Sequence, residues 1–165
     1  MLTDSMKPSC AIFVDVQNIY YTTRQAHNAH FDYRKLWALI SAENTIVTAN
    51  AYAIDRGDER QRSFQSTLKS IGFAVKLKPF IQRSDGSAKG DWDVGIAIDV
   101  MQEAQQVDKV ILLSGDGDFD LLLDRVKKDY AVTTEVYGVQ ALTADSLINS
   151  ADVFNAIDEE LLLKK

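Results

Sequence analysis

Short apolar runs alternate along the chain with longer stretches of helical periodicity, and this alternation limits its fold more than any other feature. The apolar runs predict strands over 11–16, 45–54, 73–80, 109–115 and 132–139. The intervening patterns predict helices over 18–27, 33–43, 59–70, 94–105 and 118–130. Buried strands separated by helices are typical of a parallel sheet covered on both faces. We therefore predict an α/β fold with a mainly parallel, five-stranded sheet.

The size of the chain predicts a single domain over residues 1–165. It has 165 residues, of which 46% are hydrophobic and 25% charged. Such a chain can bury one ordinary core. Helical patterns that start at Leu142 and Asp158 predict a C-terminal helical extension over 140–165.

The location expected from the sequence is cytoplasmic. Apolar stretches stay well below the roughly 20 residues that a membrane-spanning helix needs. The first residues do not have the pattern of a secretion signal. Cys10, the single cysteine, cannot form an internal disulfide and is expected to be buried in the first strand. We expect no membrane association.

The acidic residues are unusual in type and in distribution. There are 18 Asp and 6 Glu, and the formal net charge is −6. Residues 56–89 have a net charge of +5, whereas residues 91–124 have a net charge of −8. The negative net charge argues against a general DNA-coating protein. It does not argue against an enzyme that joins a polyanion to an acidic pocket through divalent cations.

Three acids are expected to meet at the carboxyl edge of the predicted sheet. Asp15 ends the first predicted strand, and Asp116 and Asp118 follow the strand over 109–115. Ligands of open α/β sheets bind beyond this edge, near the point where the strand order reverses. Ionised carboxylates repel each other, so converging Asp side chains indicate a bound cation. Oxygen ligands favour Mg²⁺ or Mn²⁺ over Zn²⁺.

Most of these acids also have a structural interpretation. Asp118 or Asp120 could cap the helix that follows, and Asp93 could cap the helix predicted from Val94. Asn18 could cap the first helix or bind a water or phosphate oxygen. Asp99 could pair with a lysine or cap a loop.

Other polar and aromatic residues are weaker candidates. Ser114 could bond phosphate, Lys89 could contact phosphate or the acids, and Trp92 could stack on a base or belong to the core. His27 and His30 are expected to be exposed to solvent. The helix over 94–105 is expected to be largely buried through one apolar stripe, formed by Val94, Ala97, Ile98 and Met101.

Three segments together resemble the motifs of the NYN domain family, a branch of the PIN-like nucleases. They are FVDVQN (13–18), KGDWDVGIAID (89–99) and SGDGDF (114–119), and the resemblance covers about residues 11–139. The resemblance implies a Rossmann-like, three-layer α/β/α sandwich and metal-dependent RNA cleavage. It places the acids that correspond to Asp15, Asp93, Asp116 and Asp118 around the ion.

The leading hypothesis is a divalent-metal-dependent endoribonuclease. In this hypothesis Asp15 and Asp116 hold the principal Mg²⁺ or Mn²⁺, and Asp93 and Asp118 bind it directly or through water. Asn18 and Ser114 orient water and phosphate. Contacts to the RNA backbone are assigned to Arg56, Arg60, Arg62 and Lys89. A homodimer or a protein partner is left open.

Two other functions fit parts of the sequence. Asp15 could be the nucleophile of a phosphotransferase, but the sequence DVQN lacks the second Asp of haloacid-dehalogenase-type enzymes. Alternatively, the domain could be a non-catalytic RNA-binding or regulatory module. The joint presence of Asp15, Asp93, Asp116 and Asp118 favours an enzyme.

Overall fold

The computed structural model describes residues 7–79, 81–82, 88–89 and 91–164, with side chains for 7–79 and 91–164. The strands are β1 (Ser9–Asp15), β2 (Thr45–Asp55), β3 (Ala74–Pro79), β4 (Ile81–Gln82), β5 (Ala88–Lys89), β6 (Lys109–Leu113), β7 (Thr133–Gly138) and β8 (Val153–Ala156). The helices are α1 (Val16–His27), α2 (Tyr33–Glu43), α3 (Glu59–Ile71), α4 (Asp93–Glu103), α5 (Asp120–Tyr130) and α6 (Asp145–Ser150).

The main sheet is parallel throughout and has the strand order β3-β2-β1-β6-β7-β8. The chain extends the sheet in one direction from β1 to β3 and in the other direction from β6 to β8. The order therefore reverses between β1 and β6, which is where open α/β sheets bind ligands. Strands β4 and β5 form a separate antiparallel pair.

Two apolar clusters cover the two faces of the sheet. On one face, Ile12 and Val14 of β1 pack with Ile19 of α1 and Leu36 of α2. On the other face, residues of β1 and β6 pack with α4 and α5, as Phe13, Leu112, Ile96, Val100 and Leu123 illustrate. Alternate residues of a strand point to opposite faces, so one apolar strand can contribute to both clusters. This arrangement confirms the predicted three-layer α/β/α fold.

The sheet has six strands instead of the five that were predicted. Its additional strand, β8, lies within residues 140–165, which the sequence had indicated to be helical. That region contains α6, two 3₁₀ turns (Gln140–Leu142 and Glu159–Leu161) and β8 itself. β8 has four residues, too few to show a clear apolar alternation. It becomes a strand by pairing with the edge of β7.

The predicted buried stripe of α4 is wrong at Val94 and Ile98, although Met101 packs against the core. Val94 is 70% exposed and Ile98 is 60% exposed, whereas Ile96 and Val100 are fully buried. Helix α4 is apolar on more than one side, so its sequence does not determine which side faces the sheet. Asp99 lies on the inner side, where its Oδ2 accepts hydrogen bonds from Tyr52 Oη at 2.7 Å and from Lys76 Nζ at 2.6 Å.

Candidate metal centre and nucleic-acid groove

The register of β1 against β6 places Asp15 beside the loop that follows β6. Val14 lies opposite Leu113, so the next residues of the two strands, Asp15 and Ser114, are adjacent. Ser114 Oγ donates a hydrogen bond to Asp15 Oδ2 at 3.1 Å. Burial raises the pKa of Asp15 to about 6, although the hydrogen bond from Ser114 favours the charged form. Asp116 adds to the rise because its negative charge lies nearby.

Hydrogen bonds hold the loop after β6 in one conformation. The Asp116 N–H donates to Ser114 Oγ at 3.1 Å, and the Asp118 N–H donates to Asp116 Oδ1 at 2.9 Å. Asn18 Oδ1 accepts the Gly115 N–H at 2.9 Å, which ties α1 to this loop. Asn18 therefore has a third role, different from the helix cap and the phosphate contact suggested by the sequence. Asp116, rather than Asp118 or Asp120, caps the 3₁₀ turn Gly117–Phe119.

The same loop packs closely against the turn around residue 142. A Cβ atom added at Gly115 would lie 2.7 Å from the backbone oxygen of Leu142. At Gly117 it would lie 2.9 Å from the Cβ of Ala144. Glycine is therefore required at position 115 because the opposing group is backbone, which cannot move aside cheaply.

Asp93 reaches the loop from the beginning of α4. The preceding Trp92 donates from Nε1 to the Ala53 oxygen at 2.9 Å. Lys78 Nζ donates to the Asp91 oxygen at 3.2 Å and lies 4.5 Å from the centre of the Trp92 ring. These contacts attach the start of α4 to the ends of β2 and β3. Trp92 is thus largely a structural residue, and Asp93 is the first residue of the helix rather than its cap.

Three carboxylates come together at the topological switch point. Asp93, Asp116 and Asp118 each offer an oxygen, and these oxygens lie within 4.8 Å of one another. The pKa of Asp93 is raised to about 7, first by burial and then by the charge of Asp116 and a hydrogen bond with it. Mutual repulsion of this kind is relieved by a bound cation. An all-carboxylate donor set fits a hard ion such as Mg²⁺ or Mn²⁺.

Two details of this group differ from the sequence-based hypothesis. Asp15, expected to hold the principal ion with Asp116, lies near the group but is not one of its three members. Asp91 was not selected, yet its charge contributes to raising the pKa of both Asp15 and Asp93. The sequence signal for Asp91 is its position two residues before Asp93. In the structure, Asp91 Oδ1 accepts a hydrogen bond from the Asp93 N–H at 3.2 Å.

A groove of about 660 Å³ lies between α1 and the start of α3. Val16 and Gln17, which directly follow Asp15, are among the residues that line it. Arg56 and Arg60, two of the predicted substrate-binding residues, also line the groove.

Arg62 is not among the residues that line this groove. Arg62 Nη2 donates to the Gly57 oxygen at 3.2 Å, within the turn before α3. The side chain of Lys89 lies outside the described residues, so its predicted phosphate contact stays a prediction.

The sequence profile of the NYN domain matches residues 9–158 of this chain. The chain belongs to the NYN domain family. The chain is also similar to the Low amplitude and bright protein LabA of Synechococcus elongatus. The two sequences are 30% identical over 157 residues, which span 90% of this chain and 83% of that protein.

The fold of this chain is also present in a solved structure. A crystal structure of VPA0982, a protein of unknown function from Vibrio parahaemolyticus, is 52% identical to this chain. The alignment covers 99% of this chain and 100% of that one, with a TM-score of 0.91. The NYN profile match over residues 9–158 extends beyond the three sequence motifs and includes β8. The resemblance seen in the sequence is therefore confirmed.

Several remaining expectations can be compared with the described side chains. Asp99 pairs with Lys76, one of the two roles considered for it. Cys10 is fully buried, and His27 and His30 are exposed, as expected. Asp120 begins α5, and its Oδ1 accepts the N–H of Leu121. Among the described residues, every helix is too short or too polar to cross a membrane.

Proposed function

We propose that this protein is a divalent-metal-dependent ribonuclease that hydrolyses internal phosphodiester bonds of RNA. One observation supports the proposal above the others: carboxylate oxygens of Asp93, Asp116 and Asp118 lie within 4.8 Å of one another at the reversal point of a parallel sheet. Membership of the NYN family, whose domains resemble PIN-like nucleases, gives this group its chemical interpretation.

Asp93, Asp116 and Asp118 would hold the ion, with Asp15 beside them. A Mg²⁺ or Mn²⁺ ion bound there would polarise the phosphate, activate water and neutralise charge that develops at phosphorus. Asp15 would orient the attacking water by accepting a hydrogen bond from it. Asn18 would keep the metal-binding loop in place through its contact with the Gly115 N–H.

Ser114 would act as a positioning residue. The Ser114 hydroxyl accepts a hydrogen bond from the Asp116 N–H and donates one to Asp15 Oδ2. One buried hydroxyl therefore sets the relative positions of two acids. The Ser114 hydroxyl thus both donates and accepts a hydrogen bond within the protein, which favours a role in aligning the acids over direct contact with phosphate. Arg56 and Arg60 would contact the RNA backbone from the groove, where they fix the strand without selecting its sequence.

The test compares Asp116→Asn with wild type on end-labelled RNA in the presence of Mn²⁺. Asparagine keeps an oxygen that can accept the Asp118 N–H, so the loop should still form. Cleavage should fall roughly 100-fold or more, because stabilisation by the ion is worth several kcal/mol. Asp124→Asn is the matched control, since Asp124 lies on α5 with a side chain that is 57% exposed. Its cleavage rate should equal that of wild type.

A thermal melt makes the result interpretable. After treatment with a chelator, wild type should melt at a higher temperature when Mn²⁺ is added, because the unfolded chain has no converging ligands. Asp116→Asn should show a smaller rise. Cleavage by Asp116→Asn at the wild-type rate would refute the proposal. RNA binding without any Mn²⁺-dependent cleavage by wild type would instead support the non-catalytic module.

A further inference from the structure

Aromatic side chains line the groove between α1 and the start of α3. Tyr20 and Tyr21 are 40% and 51% exposed, although tyrosine rings usually gain from burial. Their ring centres are 5.4 Å apart in an edge-to-face arrangement. The ring of His30 is stacked on Tyr20 at 5.7 Å with an interplanar angle of 24°. These three residues, the aromatic cluster, all line the groove.

Helix periodicity places two rings of this cluster on one face of α1, the helix that directly follows Asp15. Gln17, Tyr20, Tyr21 and Arg24 are separated by three or four residues and therefore share one face of α1. Tyr20 is five residues beyond Asp15, about 8 Å along the helix axis. A strand whose phosphate lies beside Asp15 can thus place a neighbouring base near Tyr20.

Tyr20 has contacts to both its hydroxyl group and its ring. Arg24 Nη1 donates to Tyr20 Oη at 3.0 Å, and its guanidinium carbon lies 6.0 Å from the centre of the Tyr20 ring. On the other side, the Leu163 N–H donates to the His30 oxygen at 2.8 Å, so the end of the chain supports the loop of His30. A preorganised platform loses less side-chain entropy when it binds a ligand.

The charge around the groove is positive although the whole chain has a net charge of −6. Arg24, Arg56 and Arg60 line it together with Asp58. Arg60 and Lys164 line a second, adjoining cavity of about 510 Å³ that also contains Tyr20 and His30. Cations next to aromatic rings are the combination that binds single-stranded nucleic acid, whose phosphates and bases are both accessible.

From these observations we infer that the aromatic cluster of Tyr20, Tyr21 and His30 is a stacking subsite for an unpaired base of the RNA strand. This inference rests on the proposed function for the identity of the strand as RNA. The subsite makes single-stranded RNA the preferred substrate, because a paired base in a duplex cannot reach the rings. Arg24 and Arg60 contact the phosphates that flank the base.

The experiment measures binding of fluorescent oligouridine RNA by anisotropy, in EDTA, so that metal-dependent cleavage does not contribute. The double variant Tyr20→Ala/Tyr21→Ala should bind about 5- to 150-fold more weakly than wild type, the range expected for one stacked base. The double variant Tyr20→Phe/Tyr21→Phe keeps the rings and should bind almost as well as wild type. Thermal melts establish that both variants are folded.

A second probe tests the base directly without changing the protein. Wild type should bind an abasic strand of the same length more weakly than oligouridine, and the alanine variant should bind the two strands equally. Arg60→Ala should weaken binding of both strands, since it removes a phosphate contact. Arg125→Ala is its control, because Arg125 lies on α5 with a side chain that is 64% exposed and pairs with Asp129.

The outcomes separate the subsite from the proposed nuclease. Equal affinity of wild type for oligouridine and the abasic strand would overturn the subsite, even if the protein cleaves RNA. Unchanged affinity of a folded Tyr20→Ala/Tyr21→Ala variant would overturn it as well. Loss of binding in that variant, combined with wild-type cleavage by Asp116→Asn, would support the subsite and refute the proposed metal centre.

Discussion

Replacing Asp15 by Asn should stabilise the metal-free protein at neutral pH. Burial raises the pKa of Asp15 from 3.8 to about 6, and the charges of Asp116 and Asp91 add to this rise. Folding therefore costs more when the carboxyl group is ionised than when it is protonated. Asparagine is neutral at every pH and keeps an oxygen that can accept the hydrogen bond from Ser114.

The sign and size of the effect follow from the two pKa values. Below 3.8, Asp15 is protonated in the folded and unfolded chains and costs nothing; the cost grows as pH rises to about 6 and is constant above that. The full difference corresponds to at most about 3 kcal/mol, at roughly 1.4 kcal/mol for each pH unit. Asp15→Asn should therefore gain about 1–3 kcal/mol at pH 8 and almost nothing at pH 4.

Urea unfolding in EDTA, followed by tryptophan fluorescence between about pH 4 and pH 8, measures this difference. Asp124→Asn is the control and should stay within about 0.5 kcal/mol of wild type at each pH. Adding Mn²⁺ should stabilise wild type more than Asp15→Asn, because the ion favours the full set of carboxylates. If Asp15→Asn were less stable than wild type at pH 8 in EDTA, or if the gain did not depend on pH, the reasoning would be refuted.

Three further substitutions test the fold around the site. Tyr52→Phe removes the 2.7 Å hydrogen bond to Asp99 from a ring that is 1% exposed, and urea unfolding should show a loss of about 1–3 kcal/mol. Gly115→Ala forces a Cβ against the Leu142 oxygen, and a loss of about 1–3 kcal/mol is expected in the same assay. Ile98→Ser alters a side chain that is 60% exposed, so its unfolding midpoint should change little; a large loss would mean that this side of α4 is buried.

The acids were located from the sequence because the information that places them is local. The apolar runs that become β1 and β6 end at Asp15 and before Asp116, and the carboxyl ends of parallel strands lie at one edge. Once these strands are neighbours, the convergence follows without further assumptions. The third member of the acidic group, Asp93, came from the resemblance to the NYN family, since it lies on a helix that reaches this edge from elsewhere.

The orientation of α4 could not be predicted from its own sequence. Ile96 and Val100 are buried and Val94 and Ile98 are exposed, yet all four residues are apolar. Asp99 lies on the same side as the buried pair. A charged residue ordinarily indicates the solvent-facing side of a helix, but here Tyr52 and Lys76 bind it against the sheet. The partners that make this burial favourable are distant in the sequence.

The sequence by itself determined the order of strands and helices, the parallel sheet and the edge at which its acids collect, because apolar periodicity and strand ends are properties of neighbouring residues. Only the tertiary structure decided which acids share a site, how α4 is rotated and how β8 completes the sheet. It also decided that the outer face of α1, the start of α3 and the end of the chain enclose one groove. These features depend on contacts between residues far apart in the chain, whose packing and hydrogen bonds are established only when the layers assemble.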